Sequence, residues 1–366
     1  MRILLTVAPG AGHLFPLVPL AWALRALGHE IVLATAGQGT VLGPGAGLTT
    51  VDVAPDVDMS ELIAATSGGA GGSARTGLPR ERAIALFTTI SREMLDGTRR
   101  CVDIWSPDVV IYESMHGAGA VAAAERGIPA VEHAIVWAAP PGALVSAMWP
   151  ALTGGAPYVP AIAAIGVAPP RLAPAPDPGW SVRPVPYTGG AVVPADVLAA
   201  PRRPRVLVTM GSVVPRTGGV GLLRELVDAL AEESIEVLVA LGEDPARLGP
   251  LPASVRAHPW VPLTAALPQC AAVVHHGGAG TCLAGLAAGV PQIILPQGAD
   301  QFLNADSLVT RGCALRSTAE PDELRSALRA ALSGTLDGPV AEVRQEIAEM
   351  PPAPVVADAL LTLLSR

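Results

Sequence analysis

Two groups of residues in this 366-residue chain have the types and spacing for chemistry. The first lies between Trp260 and Gln301. An apolar run, Ala271 to His275, leads into His276, Gly277, Gly278, Ala279, Gly280 and Thr281, then into a helical pattern from Cys282 to Ala288. Small residues at a strand-to-helix turn let backbone N–H groups approach a phosphate, and the helix N-terminus adds a favourable dipole. An imidazole beside those amides can donate a hydrogen bond to the same diphosphate. A Gly-rich turn alone is as consistent with a tight turn as with an anion site. Taken singly, Trp260 reads as a packed strand-end residue and Asp300-Gln301 as a helix cap. Together in one register they read as a pocket for a nucleotide-activated sugar.

The second group joins His13 and Glu113. His13 follows the first apolar strand and precedes a helix that starts near Pro16. A helix N-terminus disfavours further positive charge, which suits an imidazole that must accept a proton as a general base. Glu113 closes the apolar run in PDVVIYES and is the candidate to steady that imidazole. The alternatives are a helix cap for His13 and a solvated strand-end acid for Glu113.

Elements that could position these groups follow from periodicity and turn signals. Ile3 to Val7 reads as a buried strand, APGAGH as a turn, Pro16 to Leu27 as a helix ended by Gly28, and Ile31 to Thr35 as the next strand. The turn of such a βαβ unit lies at the carboxyl edge of the sheet, where α/β folds place their ligands. Further strands are expected at Thr49–Val53, Val109–Tyr112, Ala130–Glu132 and Ser181–Val185, with helices near Arg80–Ile104 and Ala118–Arg126. Thr66 to Gly77, TSGGAGGSARTG, is expected to be a lid or a disordered loop. Pro and Gly cluster from Pro169 to Pro204. A second αβ series then starts with Arg205–Thr209, a helix near Val220–Glu232 and the strand Glu236–Leu241, and ends in helices, the last about Val355–Leu364. Two doubly wound domains are expected, residues 1–200 to bind an acceptor and 201–366 to bind a donor.

Composition narrows the function. The 24 basic residues are all arginine and face 32 acidic ones, a net charge of −8 without a basic patch, so nucleic acid is not an expected partner. Cys101, Cys270, Cys282 and Cys313 show neither metal spacing nor a disulfide framework, which suits a reducing cytoplasm. A strand beginning at Ile3 leaves no room for a signal peptide. Ala134 to Pro170 carries no charge, but its prolines and glycines, among them Pro140, Pro150 and Gly154, interrupt any membrane-spanning helix. An apolar wall is expected instead. Phe87, Met115, His116, Trp137, Met148 and Trp149 are candidates to line it against a bulky apolar acceptor, the alternative being ordinary core packing. Asp56 and Asp58 offer paired acids, but in a Pro-containing loop far in sequence from the phosphate turn, so no metal is expected.

The order and spacing of Trp260, His276, Gly278, Gly280, Thr281, Asp300 and Gln301 resemble the donor-binding signature of the family 1 glycosyltransferases of natural-product pathways. The resemblance implies the GT-B fold: two Rossmann-like α/β domains facing across a cleft, with the last helix crossing back onto the first. It implies Trp260 stacked on a nucleobase, Val261 holding the base through its backbone, and His276 on the pyrophosphate with Gly278, Gly280 and Thr281. Gly211 and Ser212 would meet the phosphates, and Asp300 and Gln301 the sugar hydroxyls. An Asp commonly stands where this chain has Glu113, fixing the base histidine, and Glu reaches one methylene further. The implied reaction is inverting, metal-independent O-glycosylation of a polyketide-like aglycone, with a sugar nucleotide as co-substrate and no cofactor. UDP-sugar users commonly carry a Glu at the position of Ala284, where it holds ribose hydroxyls; its absence suits a deoxyribose and hence a dTDP-sugar. C-glycosylation, a sugar-nucleotide epimerase and a non-catalytic nucleotide-binding auxiliary stay open, as does a homodimer.

Overall fold

The computed structural model describes the whole chain except residues 68–79, 138, 213, 215–218, 299 and 366. The expected lid therefore falls mostly outside the described residues. Two compact units are present: one holds the residues up to Gly189 together with those from Glu349 onward, and the other spans Gly190–Ala348.

The first unit is built on a seven-stranded sheet of order β3-β2-β1-β4-β5-β6-β7. Its strands are β1 Arg2–Thr6, β2 Glu30–Thr35, β3 Thr49–Asp52, β4 Val109–Glu113, β5 Ala130–His133, β6 Ala163–Gly166 and β7 Gly179–Ser181. The second unit carries a six-stranded sheet of order β10-β9-β8-β11-β12-β13. Here β8 is Arg205–Thr209, β9 Glu236–Ala240, β10 Val255–His258, β11 Ala272–His275, β12 Gln292–Ile294 and β13 Ala314–Arg316. All pairings in both sheets are parallel. Parallel strands covered on both faces must be apolar throughout, and β4 and β8 are buried along their whole length.

Strand order fixes where chemistry can sit. In the first sheet β1 lies between β2 and β4, and in the second β8 lies between β9 and β11. The order reverses at these two strands, so the crossovers on either side leave in opposite directions and open a crevice at the carboxyl ends. His13 follows β1 and Glu113 ends β4; Gly211 and Ser212 follow β8 and His276 follows β11. Each group of residues thus gathers at the switch point of its own sheet.

Several elements differ from the sequence reading. The first helix starts earlier than Pro16: an α-turn at Ala11–Leu14 and a 3₁₀ turn at Phe15–Leu17 run into the helix Val18–Ala26. His13 therefore lies within the first turn rather than ahead of it. The edge strand is Gly179–Ser181, not Ser181–Val185. The uncharged stretch contains an eleven-residue helix, Ala143–Thr153, which accepts Pro150 in its last turn. Among the described residues no single helix is long and apolar enough to cross a membrane. The last helix, Ala353–Leu364, packs on Val18–Ala26 inside the first unit.

Candidate functional site

At the first switch point a buried carboxylate holds a half-open imidazole. Glu113 is fully buried and the His13 side chain is 18% exposed, with His13 Nδ1 and Glu113 Oε1 2.8 Å apart. A carboxylate accepts, so Nδ1 carries the hydrogen and Nε2 keeps its lone pair. Glu113 is tied down by backbone amides as well: Met115 N–H donates to Oε2 at 2.6 Å and Ala8 N–H to Oε1 at 3.4 Å. Burial pushes the Glu113 carboxyl up, but His13, His116 and the Met115 amide outweigh that and leave it below its ordinary value. The extra methylene of Glu over Asp is absorbed by these bonds. Phe87 packs on the His13 ring with centroids 5.1 Å apart.

At the second switch point, among the described residues, neither His275 nor His276 has a carboxylate partner. The His276 ring is wedged between two glycines: a Cβ on Gly211 would lie 2.7 Å from its Cε1 and one on Gly278 2.5 Å from its Nε2. Gly211 also has φ +73°, which few other residues adopt. Burial lowers the His276 imidazole to about 4, so it is neutral and offers one N–H. Gly278 caps the helix Ala279–Ala288, whose Thr281 and Cys282 amides both return to the Gly278 carbonyl. The Ala279 and Gly280 amides precede that register and are the donors a helix start offers to an anion. Gln301 Oε1 accepts from the amides of Gln297 at 2.7 Å and Gly298 at 3.1 Å, and Asp300 Oδ2 accepts from Asn304 Nδ2 at 2.7 Å. Val261 is buried in the second unit's core cluster, while Trp260 at the same turn is half-buried.

The acceptor candidates divide. Phe87 and Met115 belong to the His13–Glu113 cluster. His116 is fully buried, its Nδ1 3.4 Å from Ser91 Oγ. Trp137 lines a shallow depression with Ser114, Glu132, Leu144 and Val167. Met148 and Trp149 do not line a site. Both are buried in the core of the first unit, where Trp149 stacks edge-on against Tyr158 and donates to the Pro157 carbonyl at 3.0 Å. An indole and a thioether on the inner face of the helix Ala143–Thr153 have nowhere else to go. Asp58 caps the helix Met59–Ser67 through the amides of Ser60 and Glu61, and Asp56 is exposed. Ala284 is also a packing residue, in the same core cluster as Val261.

Sequence reasoning missed Glu132, His275, Gln292 and Asn304. Glu132 sits in the depression below Trp137. Burial raises its carboxyl to about 7, against the opposing hydrogen bonds of the Gly142 amide and the Tyr112 hydroxyl. Its only signal was an acid inside a strand run, Ala130–His133. The other three brace the phosphate turn, and the doubled histidine in HHGG was the one visible hint.

Comparison with known proteins gives the family. Residues 22–211 match the family described as "Erythromycin biosynthesis protein CIII-like, N-terminal domain", and residues 224–363 its C-terminal counterpart. The elloramycin glycosyltransferase ElmGT of Streptomyces olivaceus is 40% identical over 338 residues, covering 88% of this chain and 87% of that protein. The crystal structure of the glycosyltransferase SnogD from Streptomyces nogalater is similar with a TM-score of 0.82 and 35% identity, over 100% of this chain and 99% of that one. The structure of the Streptomyces sp. SF2575 glycosyltransferase SsfS6, complexed with thymidine diphosphate, is similar with a TM-score of 0.83 and 31% identity over 99% of both chains. The two-unit α/β architecture is that of the GT-B glycosyltransferases.

Proposed function

The chain belongs to the erythromycin biosynthesis protein CIII-like family and is a natural-product glycosyltransferase, and on that premise we propose that it moves a deoxysugar from dTDP to a hydroxyl of a bulky apolar polyketide aglycone, with inversion at the anomeric carbon. The acceptor binds the first unit and the sugar nucleotide the second. The observation that carries this reading is the placement of the His13–Glu113 pair and of the His276 turn, each at the switch point of its own sheet.

In the proposed step the acceptor hydroxyl attacks the anomeric carbon from the face opposite the diphosphate. Its proton passes to His13 Nε2, the nitrogen that Glu113 leaves unprotonated, and the buried carboxylate stabilises the imidazolium that forms. The C–O bond to dTDP breaks with its electron pair, so negative charge gathers on the diphosphate. The Ala279 and Gly280 amides at the start of the helix, the Gly211–Ser212 turn and the neutral His276 N–H receive it, in place of a cation. Trp260 stacks on the thymine, Val261 holds it by its backbone, and Asp300 and Gln301 bind the sugar hydroxyls. Ala284 supplies no partner for a ribose 2′-OH, and the relative SsfS6 was solved with thymidine diphosphate, which together support dTDP over UDP.

The test is a mass-spectrometric assay of the purified protein with dTDP- and UDP-sugars against aromatic polyketide aglycones. Glycosylated product forming faster from the dTDP-sugar is expected, with the opposite anomeric configuration. A clear preference for UDP would overturn the donor assignment, and a sugar changed without an acceptor would mark an epimerase.

A further inference from the structure

Behind the phosphate turn runs a chain of buried side-chain hydrogen bonds that the proposed reaction does not use. Gln292 Nε2 donates to the Cys282 carbonyl at 3.1 Å, and Gln292 Oε1 lies 2.8 Å from His275 Nε2. Gly277 N–H donates to His275 Nδ1 at 3.1 Å. On the other face of the turn, Asn304 Nδ2 donates to the Gly277 carbonyl at 3.0 Å and to Asp300 Oδ2 at 2.7 Å. His275, Gln292 and Asn304 are each 0% exposed.

Elementary donor and acceptor rules leave one assignment of hydrogens. A carbonyl needs the Gln292 amide N–H, so Gln292 Oε1 must accept from His275 Nε2–H. His275 is then the Nε2–H tautomer, with its Nδ1 lone pair receiving the Gly277 amide. Both acceptors at Asn304 demand Nδ2, so that amide cannot be flipped. Burial, reinforced by neighbouring His276, holds the His275 imidazole at about 3, which keeps this tautomer neutral.

Two details indicate that the chain is built for this arrangement. Gly285 lies mid-helix, and a Cβ there would stand 2.8 Å from the Gln292 amide, so the missing side chain is the seat of Gln292. Asn304 Oδ1 is buried with no hydrogen-bond partner among the described residues. An orphaned acceptor costs stability that a leucine would avoid, so the asparagine is present for its two N–H bonds.

We propose that His275, Gln292 and Asn304 are positioning residues of the donor site, fixing the Gly277 peptide and the Asp300 carboxylate in one register so that the diphosphate amides and the sugar-binding acid are presented together. This rests on the donor assignment given above. The residues touch neither phosphate nor sugar; they remove the freedom of the groups that do.

The test measures dTDP and dTDP-glucose binding by titration calorimetry, alongside melting temperature, for the full-length protein and the variants Gln292→Met and Asn304→Leu. Gln292→Met is expected to weaken both ligands by about tenfold, the scale of one lost buried hydrogen bond. Asn304→Leu is expected to weaken dTDP-glucose more than dTDP, because Asp300 is released as well. Lower melting temperatures with unchanged affinities would show a merely structural role and overturn the inference. Wild-type protein that binds neither ligand would overturn the donor assignment itself. Gln292→Asn keeps the proposal testable if the apolar variants fail to fold: it leaves a neutral amide in the pocket but is one methylene too short to reach both the Cys282 carbonyl and His275 Nε2. Affinity of this variant for dTDP and dTDP-glucose is expected to fall about tenfold, and unchanged affinity would equally overturn the inference.

Discussion

His13 and His276 both lie past the carboxyl ends of the adjacent strands at the reversal of their sheets, His13 after β1 and His276 after β11, yet their surroundings give them opposite chemistry. His13 is half-open and its Nδ1 is held by a fully buried carboxylate. His276 is wedged between glycines, and among the described residues no carboxylate hydrogen-bonds either it or His275. A carboxylate partner lets an imidazole carry positive charge for part of a reaction, whereas desolvation without one keeps it neutral. In the first unit the protein supplies the negative charge that a transient imidazolium requires. In the second, on the proposed donor assignment, the ligand brings the negative charge and the protein answers with dipoles.

The sharpest way to break this division is His13→Ala. Turnover is expected to fall about a thousandfold, the scale of a lost general base, with the Kd for dTDP unchanged by calorimetry. Glu113→Gln keeps a side chain of the same shape but cannot stabilise the imidazolium; turnover should fall about a hundredfold, again without loss of dTDP affinity. Weaker dTDP binding by either variant would mean that the two imidazoles do not have separate tasks. Gly278→Ala tests the other side, since its methyl falls 2.5 Å from His276 Nε2. The Kd for dTDP should rise about tenfold while turnover at saturating donor changes little.

Smaller effects refine the picture within the first unit. Trp149→Ala removes a core indole and is expected to cost about 3–5 kcal/mol of stability by denaturant unfolding while leaving the acceptor KM unmoved. Phe87→Ala, beside His13, should raise the acceptor KM instead. The pH dependence of stability should carry the mark of the buried imidazoles. Burial lowers His275 to about 3 and His276, His116 and His133 each to about 4, from 6.5. The unfolded chain binds these protons first, so the melting temperature should decline as pH falls below 6.5. Glu132 acts in the other direction: its stabilisation is full below 4.5 and is lost as pH rises through about 7. Glu132→Gln should therefore raise the melting temperature by a few degrees above neutral pH, read by calorimetry.

The parts of the molecule that sequence reveals are those specified locally. The strands Arg2–Thr6, Val109–Glu113 and Arg205–Thr209 are largely apolar runs, and HHGGAGT is a turn between a strand and a helix, so the elements carrying Glu113 and His276 were legible, and the strand that leads to His13. The last two strands of the first sheet, Ala163–Gly166 and the edge strand Gly179–Ser181, were not, because three or four residues among prolines and glycines carry no period of their own. Met148 and Trp149 showed the residue types of a binding wall, but the face of the helix Ala143–Thr153 that turns inward is chosen by its neighbours. The bracing of the turn depends on partners distant in sequence: Gln292 lies 17 residues beyond His275, and Asn304 lies 27 beyond Gly277. A strand end rich in small residues announces a turn; what steadies it from behind becomes visible only once the chain is folded.

The return of Ala353–Leu364 onto Val18–Ala26 has a consequence for biosynthesis. The amino-terminal unit is not a continuous stretch of polypeptide, since its last helix is translated after the entire second unit. During synthesis the docking surface on Val18–Ala26 stays uncovered until the codons of Ala353–Leu364 are read, by which point β8 to β13 of the second unit have all been made. A premature stop near Glu349 would leave the second unit whole and strip the first of the helix that covers Val18–Ala26.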